Sequence, residues 1–179
     1  MTRKLLASGM AALALVAAGC GGGDESSASP TEEWAEGFCT AITAWTDSLR
    51  SATEQFSNAS SLTSEALTDA GNDVSSSTEA LVDDLRALGP PETESGEEVK
   101  TSIDELSTTL ESEVAKIETA VQDASGLTEL PSAITAITTS LSAMATAFST
   151  TLQTIESADA QGELQTALED SPACADISG

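Results

Sequence analysis

Histidine and tyrosine are absent from this chain, and each absence removes chemistry. Without an imidazole there is no ordinary general base near neutral pH, no Ser-His or Cys-His nucleophile pair, and no histidine ligand for zinc or haem. Carboxylate-bridged di-iron bundles, built on Glu-x-x-His, are excluded as usually made. Basic residues are scarce too: six Lys and Arg against thirty Asp and Glu leave a formal net charge of −24. A polyanion of this kind repels phosphate backbones and anionic head groups, so no nucleic-acid partner is expected. Nor do the bases cluster. Arg50 has Asp47 and Glu54 at helical spacing, Arg86 has Asp83, Lys100 has Asp104, and Lys116 has Glu113; these read as surface ion pairs. Aromatics are only 3% of a chain that is 40% hydrophobic, and a core of Ala, Leu and Ile fits a helical bundle better than a sandwich or barrel.

What is abundant is carboxylate: Asp83-Asp84, Glu97-Glu98, Asp104-Glu105, Glu111 and Glu113. A catalytic pair among them would need one member buried to raise its pKa. They fall mostly on predicted polar faces and read as solvated surface, so no catalytic residue is nominated and the chain is not expected to be an enzyme. No Asp-x-Asp-x-Asn-Gly calcium loop occurs, and no metal or cofactor is expected.

The front of the chain carries the strongest signal. Arg3 and Lys4 precede an apolar run from Leu5 to Ala18, too short for an ordinary membrane span, and small residues follow. Ala17-Ala18-Gly19-Cys20 resembles the lipobox of bacterial lipoproteins, with Ala17 where that motif usually has Leu. The resemblance implies a diacylglyceryl group on the Cys20 sulfur and cleavage after Gly19. Two or more acyl chains, at about 0.8 kcal/mol per buried methylene, anchor a protein stably. The competing reading is plain secretion with Cys20 left as a thiol. On the lipoprotein reading residues 1–19 are the signal peptide. Residues 20–30 are the lipidated cysteine and a flexible tether, and 31–179 form the domain on the extracytoplasmic face of the cell membrane. Cys39 and Cys174 then remain, in a compartment where disulfides persist, and are expected to pair; two unpaired buried thiols are the alternative.

Along the chain, Ser29-Pro30-Thr31-Glu32 reads as a helix start with a capping box. Trp34, Phe38, Ile42, Trp45, Leu49, Ala52 and Phe56 follow as one apolar stripe, and Asn58 to Ser61 as a polar break. A second helix runs from near Thr63 to Leu88; its weak middle at Gly71-Asn72 and Ser75-Ser76-Ser77 is a place where it could break. Gly89-Pro90-Pro91 ends it. Val99 to Val121 carries the third stripe, stopped by Asp123 to Gly126, and Leu130 to Ile155 the fourth, with Pro131 in its first turn. Gly162 marks a break, Glu163 to Leu168 a short further turn or two, and Pro172-Ala173-Cys174 a tail. The expected fold is all-α, an up-down-up-down four-helix bundle whose C-terminal helix or tail is tied back to the first helix by the disulfide. Four antiparallel helices bring the chain's two ends together, which is what a Cys39–Cys174 bridge requires.

Trp34 and Trp45 lie on the apolar stripe and read as core. Trp45 is expected to face Val74 to Thr78, and a loose fit there would leave an apolar cavity, so Trp45, Val74 and Thr78 are the candidate ligand residues. From Pro131 to Ile155 no residue is charged, which makes this helix the candidate surface for an envelope protein partner. The dull alternative is a plain Ser/Thr surface, or a helix covered by the tail. Asn58-Ala59-Ser60 matches a glycosylation acceptor and reads as chance. The lipobox, the Trp34-to-Cys39 opening, the Leu88-Gly89-Pro90-Pro91 joint and the terminal cysteine together resemble small helical lipoproteins of high-GC Gram-positive bacteria. That likeness brings no activity with it. The expected function is a lipid-anchored, non-enzymatic interaction or envelope-associated module. A carrier or sensor for a small apolar ligand is the alternative, and a carboxylate-based hydrolase ranks third.

Overall fold

A computed structural model describes residues 28–57, 63–124 and 128–175. The signal segment, Cys20, most of the tether, the Asn58-Ala59-Ser60 acceptor, the stop at Gly126 and the Phe56 side chain lie outside what is described. Four long helices follow one another, α1 (Pro30–Ser57), α2 (Ser64–Leu88), α3 (Gly96–Asp123) and α4 (Leu130–Ala158). A short α5 (Glu163–Asp170) and a 3-10 turn (Pro172–Cys174) complete the described elements. No strand occurs among the described residues.

Local chemistry accounts for the helix starts. The Glu32 N–H donates to Ser29 Oγ at 3.2 Å while the Ser29 N–H donates back to the Glu32 carboxylate, a reciprocal capping box. The Ser29 backbone N–H, and after it the Ser29 hydroxyl, favour the ionised form and hold the Glu32 carboxyl below the ordinary glutamate value. At α2, Thr63 Oγ1 accepts the Ala66 N–H at 3.1 Å. The other end of α2 stops at Gly89, whose φ of +66° suits glycine, and Pro90-Pro91 behind it cannot continue a helix. Trp34 on α1 donates its indole N–H to the Gly89 carbonyl at 2.9 Å, fixing this joint beside the start of α1.

The four helices form an up-down-up-down bundle. Backbones approach closely from α1 to α2, α2 to α3 and α3 to α4, and α5 with the 3-10 turn lies against α1. The core is aliphatic: Ile42, Leu67, Leu81, Ile103, Leu110, Ile117 and Ile137 are fully buried, with Met144 filling among them. α2 is unbroken through Gly71. A Cβ there would sit 2.5 Å from Val121 Cγ2 on α3, so the residue that looks like a helix breaker sits at a close contact between the two helices. Tertiary contact overrides the local propensity.

α1 and α4 meet differently. Their backbones stay further apart, and large side chains cross the gap: the Trp45 and Phe148 rings lie edge to face with centroids 6.0 Å apart. Along α4, Ile134, Leu141, Phe148 and Leu152 are consequently only half-buried. One ion pair also departs from expectation. Arg86 reaches across to Glu111 on α3 at 2.8 Å rather than settling on Asp83 of its own helix, while Arg50–Asp47, Lys100–Asp104 and Lys116–Glu113 pair as their spacing predicts.

Cys39 in α1 and Cys174 in the 3-10 turn form a disulfide, with Cα atoms 5.0 Å apart and a sequence separation of 135. Closing a loop of that size removes unfolded-state entropy equivalent to roughly 4–5 kcal/mol in the chain-entropy model. Urea denaturation of the reduced protein, or of Cys174→Ser, should therefore show a stability loss approaching that figure, and reduction should slow migration on a denaturing gel.

Candidate functional site

Three places on the bundle bear on function. At the first, the candidate residues Trp45, Val74 and Thr78 do come together. Trp45 is 2% exposed, and its indole N–H donates to Thr78 Oγ1 at 3.0 Å. The Thr78 hydroxyl donates in turn to the Val74 carbonyl at 2.7 Å, so every polar atom of the group is partnered. Phe148 closes the far side of the ring. Here α1, α2 and α4 are joined through one indole.

The second place is the outer face of α4. Thr135, Thr138, Thr139, Ser142, Thr146, Ser149 and Thr150 are all exposed. Each hydroxyl donates to the carbonyl four residues back, at 2.8–3.0 Å. The donors are thus committed to the helix itself, and the face offers methyl groups and lone pairs rather than free hydroxyl protons. It is less polar than its composition reads. α3 beside it is the opposite, with Glu98, Asp104, Glu105, Glu111 and Glu118 in solvent.

The third place was not legible in advance. Between α1, α4 and α5, at the disulfide end, lies a cavity of about 340 Å³. Phe38, Leu152, Ile155, Leu168 and the disulfide-bonded Cys39 and Cys174 line it together with Gln165 and the acidic residues Glu156, Asp159 and Glu169. It exists because the aromatic residues hold α1 and α4 apart and the thin α5 only partly fills the gap. Phe38 is itself stacked on Trp34, with centroids 5.1 Å apart and planes 11° from parallel. Asp159 accepts the Gln165 N–H at 2.7 Å, anchoring the start of α5, and Glu169 accepts from the Gln165 side chain at 2.9 Å.

One carboxylate is buried against expectation. The Glu113 side chain, on α3, is only 10% exposed and bonds Lys116 Nζ at 2.6 Å. The Lys116 ammonium, and to a lesser degree the Ser140 hydroxyl of α4, hold its carboxyl below the ordinary value of 4.5, burial opposing them. Three residues after Leu110 and four before Ile117, it shares the inward side of α3; that phase was the available signal. Among the described residues no group of three or more Cys, Asp or Glu is placed to hold a metal ion, and no helix is long and apolar enough to cross a membrane.

Two measurements test these placements. Trp45→Ala should cost about 3–5 kcal/mol, as other large aromatic truncations do. Thr78→Val, which strands the indole N–H in the core, should cost about 1–3 kcal/mol. Both are read by denaturant titration. For Glu113, a lowered folded pKa means the charged group adds stability above the ordinary glutamate range and loses it as pH falls through the folded value. Denaturation midpoints followed from roughly pH 6 to pH 3 should drop on acidification, and less steeply in Glu113→Gln.

No protein-family model matches this chain, and comparison with curated proteins and with solved structures finds no significant match.

Proposed function

We propose that this protein is a lipid-anchored lipoprotein of the extracytoplasmic face, whose helical domain works without catalysis as an interaction module. The lipobox-like Ala17-Ala18-Gly19-Cys20 supports the anchor. The observation that carries the interaction reading is the uncharged outer face of α4 from Pro131 to Ile155 in a chain of net charge −24. Charge is depleted at the cores of protein interfaces, because each buried charge must be desolvated or paired. Acidic residues elsewhere on the surface repel most anionic neighbours, which leaves the stretch of α4 from Pro131 to Ile155 as a face on which a partner meets no charge.

A second reading, a carrier of a small ligand, is favoured by the cavity at the disulfide end. Its apolar lining suits an apolar or amphiphilic molecule.

Anchoring is tested by fractionation: Cys20→Ser should move the protein from membranes to the soluble fraction, and continued retention removes the lipid from the account. The contact face is tested with a photo-crosslinking residue at Ser142. Discrete adducts should form on intact cells and disappear when Thr139→Glu and Thr146→Glu flank it with carboxylates. Adducts indifferent to those charges would sink the α4 surface.

A further inference from the structure

The bases of the described chain are all engaged. Arg50, Arg86, Lys100 and Lys116 each pair with a carboxylate, and none of those carboxylates borders the disulfide-end cavity. The two other bases, Arg3 and Lys4, belong to the segment that export would remove. Glu156, Asp159 and Glu169 therefore stand around an apolar hollow with no protein cation among the described residues to neutralise them. The contrast within the molecule is informative. A smaller recess bordered by Val82, Val114, Glu79, Glu111 and Glu118 has Arg86 on Glu111 already.

We propose that the cavity between α1, α4 and α5 binds a small amphiphilic organic cation, its apolar body inside and its ammonium group at the three carboxylates. This rests on the carrier reading and gives it a ligand class. Size, lining and charge each bear on the choice. A hollow of about 340 Å³ falls at the lower end of small-molecule sites, which run from roughly 300 to 1,000 Å³, and is too small for a folded partner's element. The Phe38, Leu152, Ile155 and Leu168 side chains offer no hydrogen bond, so the part of the ligand that lies against them must be hydrocarbon. Glu156 and Glu169 are exposed and Asp159 is half-buried, so the charged end stays near water and escapes a full desolvation cost. A carboxylate or sulfate head group would be repelled by all three. A neutral one would forgo the attraction.

The test uses the purified protein and octyltrimethylammonium as probe, below its micelle-forming concentration and at low ionic strength, with octyl glucoside and octyl sulfate as neutral and anionic counterparts. Calorimetry should show one cation bound per chain, at least about tenfold tighter than the neutral probe, and weakening with salt. Methyl resonances of Leu152, Ile155 and Leu168 should shift with it. Glu156→Gln with Glu169→Gln, two exposed changes that leave the Asp159 anchor of α5 intact, should bring the cation within about threefold of octyl glucoside. Equal binding of the cationic and neutral probes would overturn the cation preference while leaving a carrier. Shifts confined to another part of the bundle, or a preference that survives both glutamines, would overturn the site. If none of the three probes binds, the carrier reading falls with it.

Discussion

Side-chain bulk is distributed unevenly around this bundle, and the architecture follows from that. Every aromatic residue of the chain lies on α1 or α4, while the facing positions of α2 and α3 include Ala70, Gly71, Val74 and Ser102. Helix separation is set by the side chains at the contact. At Gly71 the α2–α3 seam closes tightly enough that an added Cβ would press on the Val121 side chain. At the α1–α4 seam, rings stand between the backbones instead. A bundle with one wide seam needs something to fill it, and α5, the 3-10 turn and the disulfide occupy part of that space at one end. The cavity is the remainder.

This explains which features could be read from the sequence. Periodicity marks the inward side of each helix, so the stripes from Trp34 to Ala52 and from Val99 to Ile117 turn inward as their spacing predicts. Local capping is equally readable, since Ser29 with Glu32 and Gly89 before two prolines act within a few residues of themselves. Pairing of Cys39 with Cys174 is expected once Cys20 is assigned to a lipid, and an even number of long helices agrees with it by returning the chain to its starting end.

Distances between helices are a different matter, because periodicity says which way a residue points and not how far its neighbour stands. Gly71 reads as a weakness in α2 by propensity and serves as a close contact in three dimensions. Arg86 finds Glu111 because α3 lies within reach, a fact no spacing within α2 contains. The hollow lined by Phe38, Leu152 and Leu168 combines three helices and could not be assembled from any one of them. Glu113 belongs in between: its phase is inward, while its charge is that of a solvent-facing residue.

The covalent bond between α1 and the tail has a consequence for durability beyond the bundle's equilibrium stability. Almost all of the folded domain lies within the 135-position span it closes. A single hydrolytic nick anywhere in that span, for example at the joint after Leu88, leaves both pieces attached through sulfur, and the packed helices can hold their places. One cut in the backbone is then not the same as loss of the molecule.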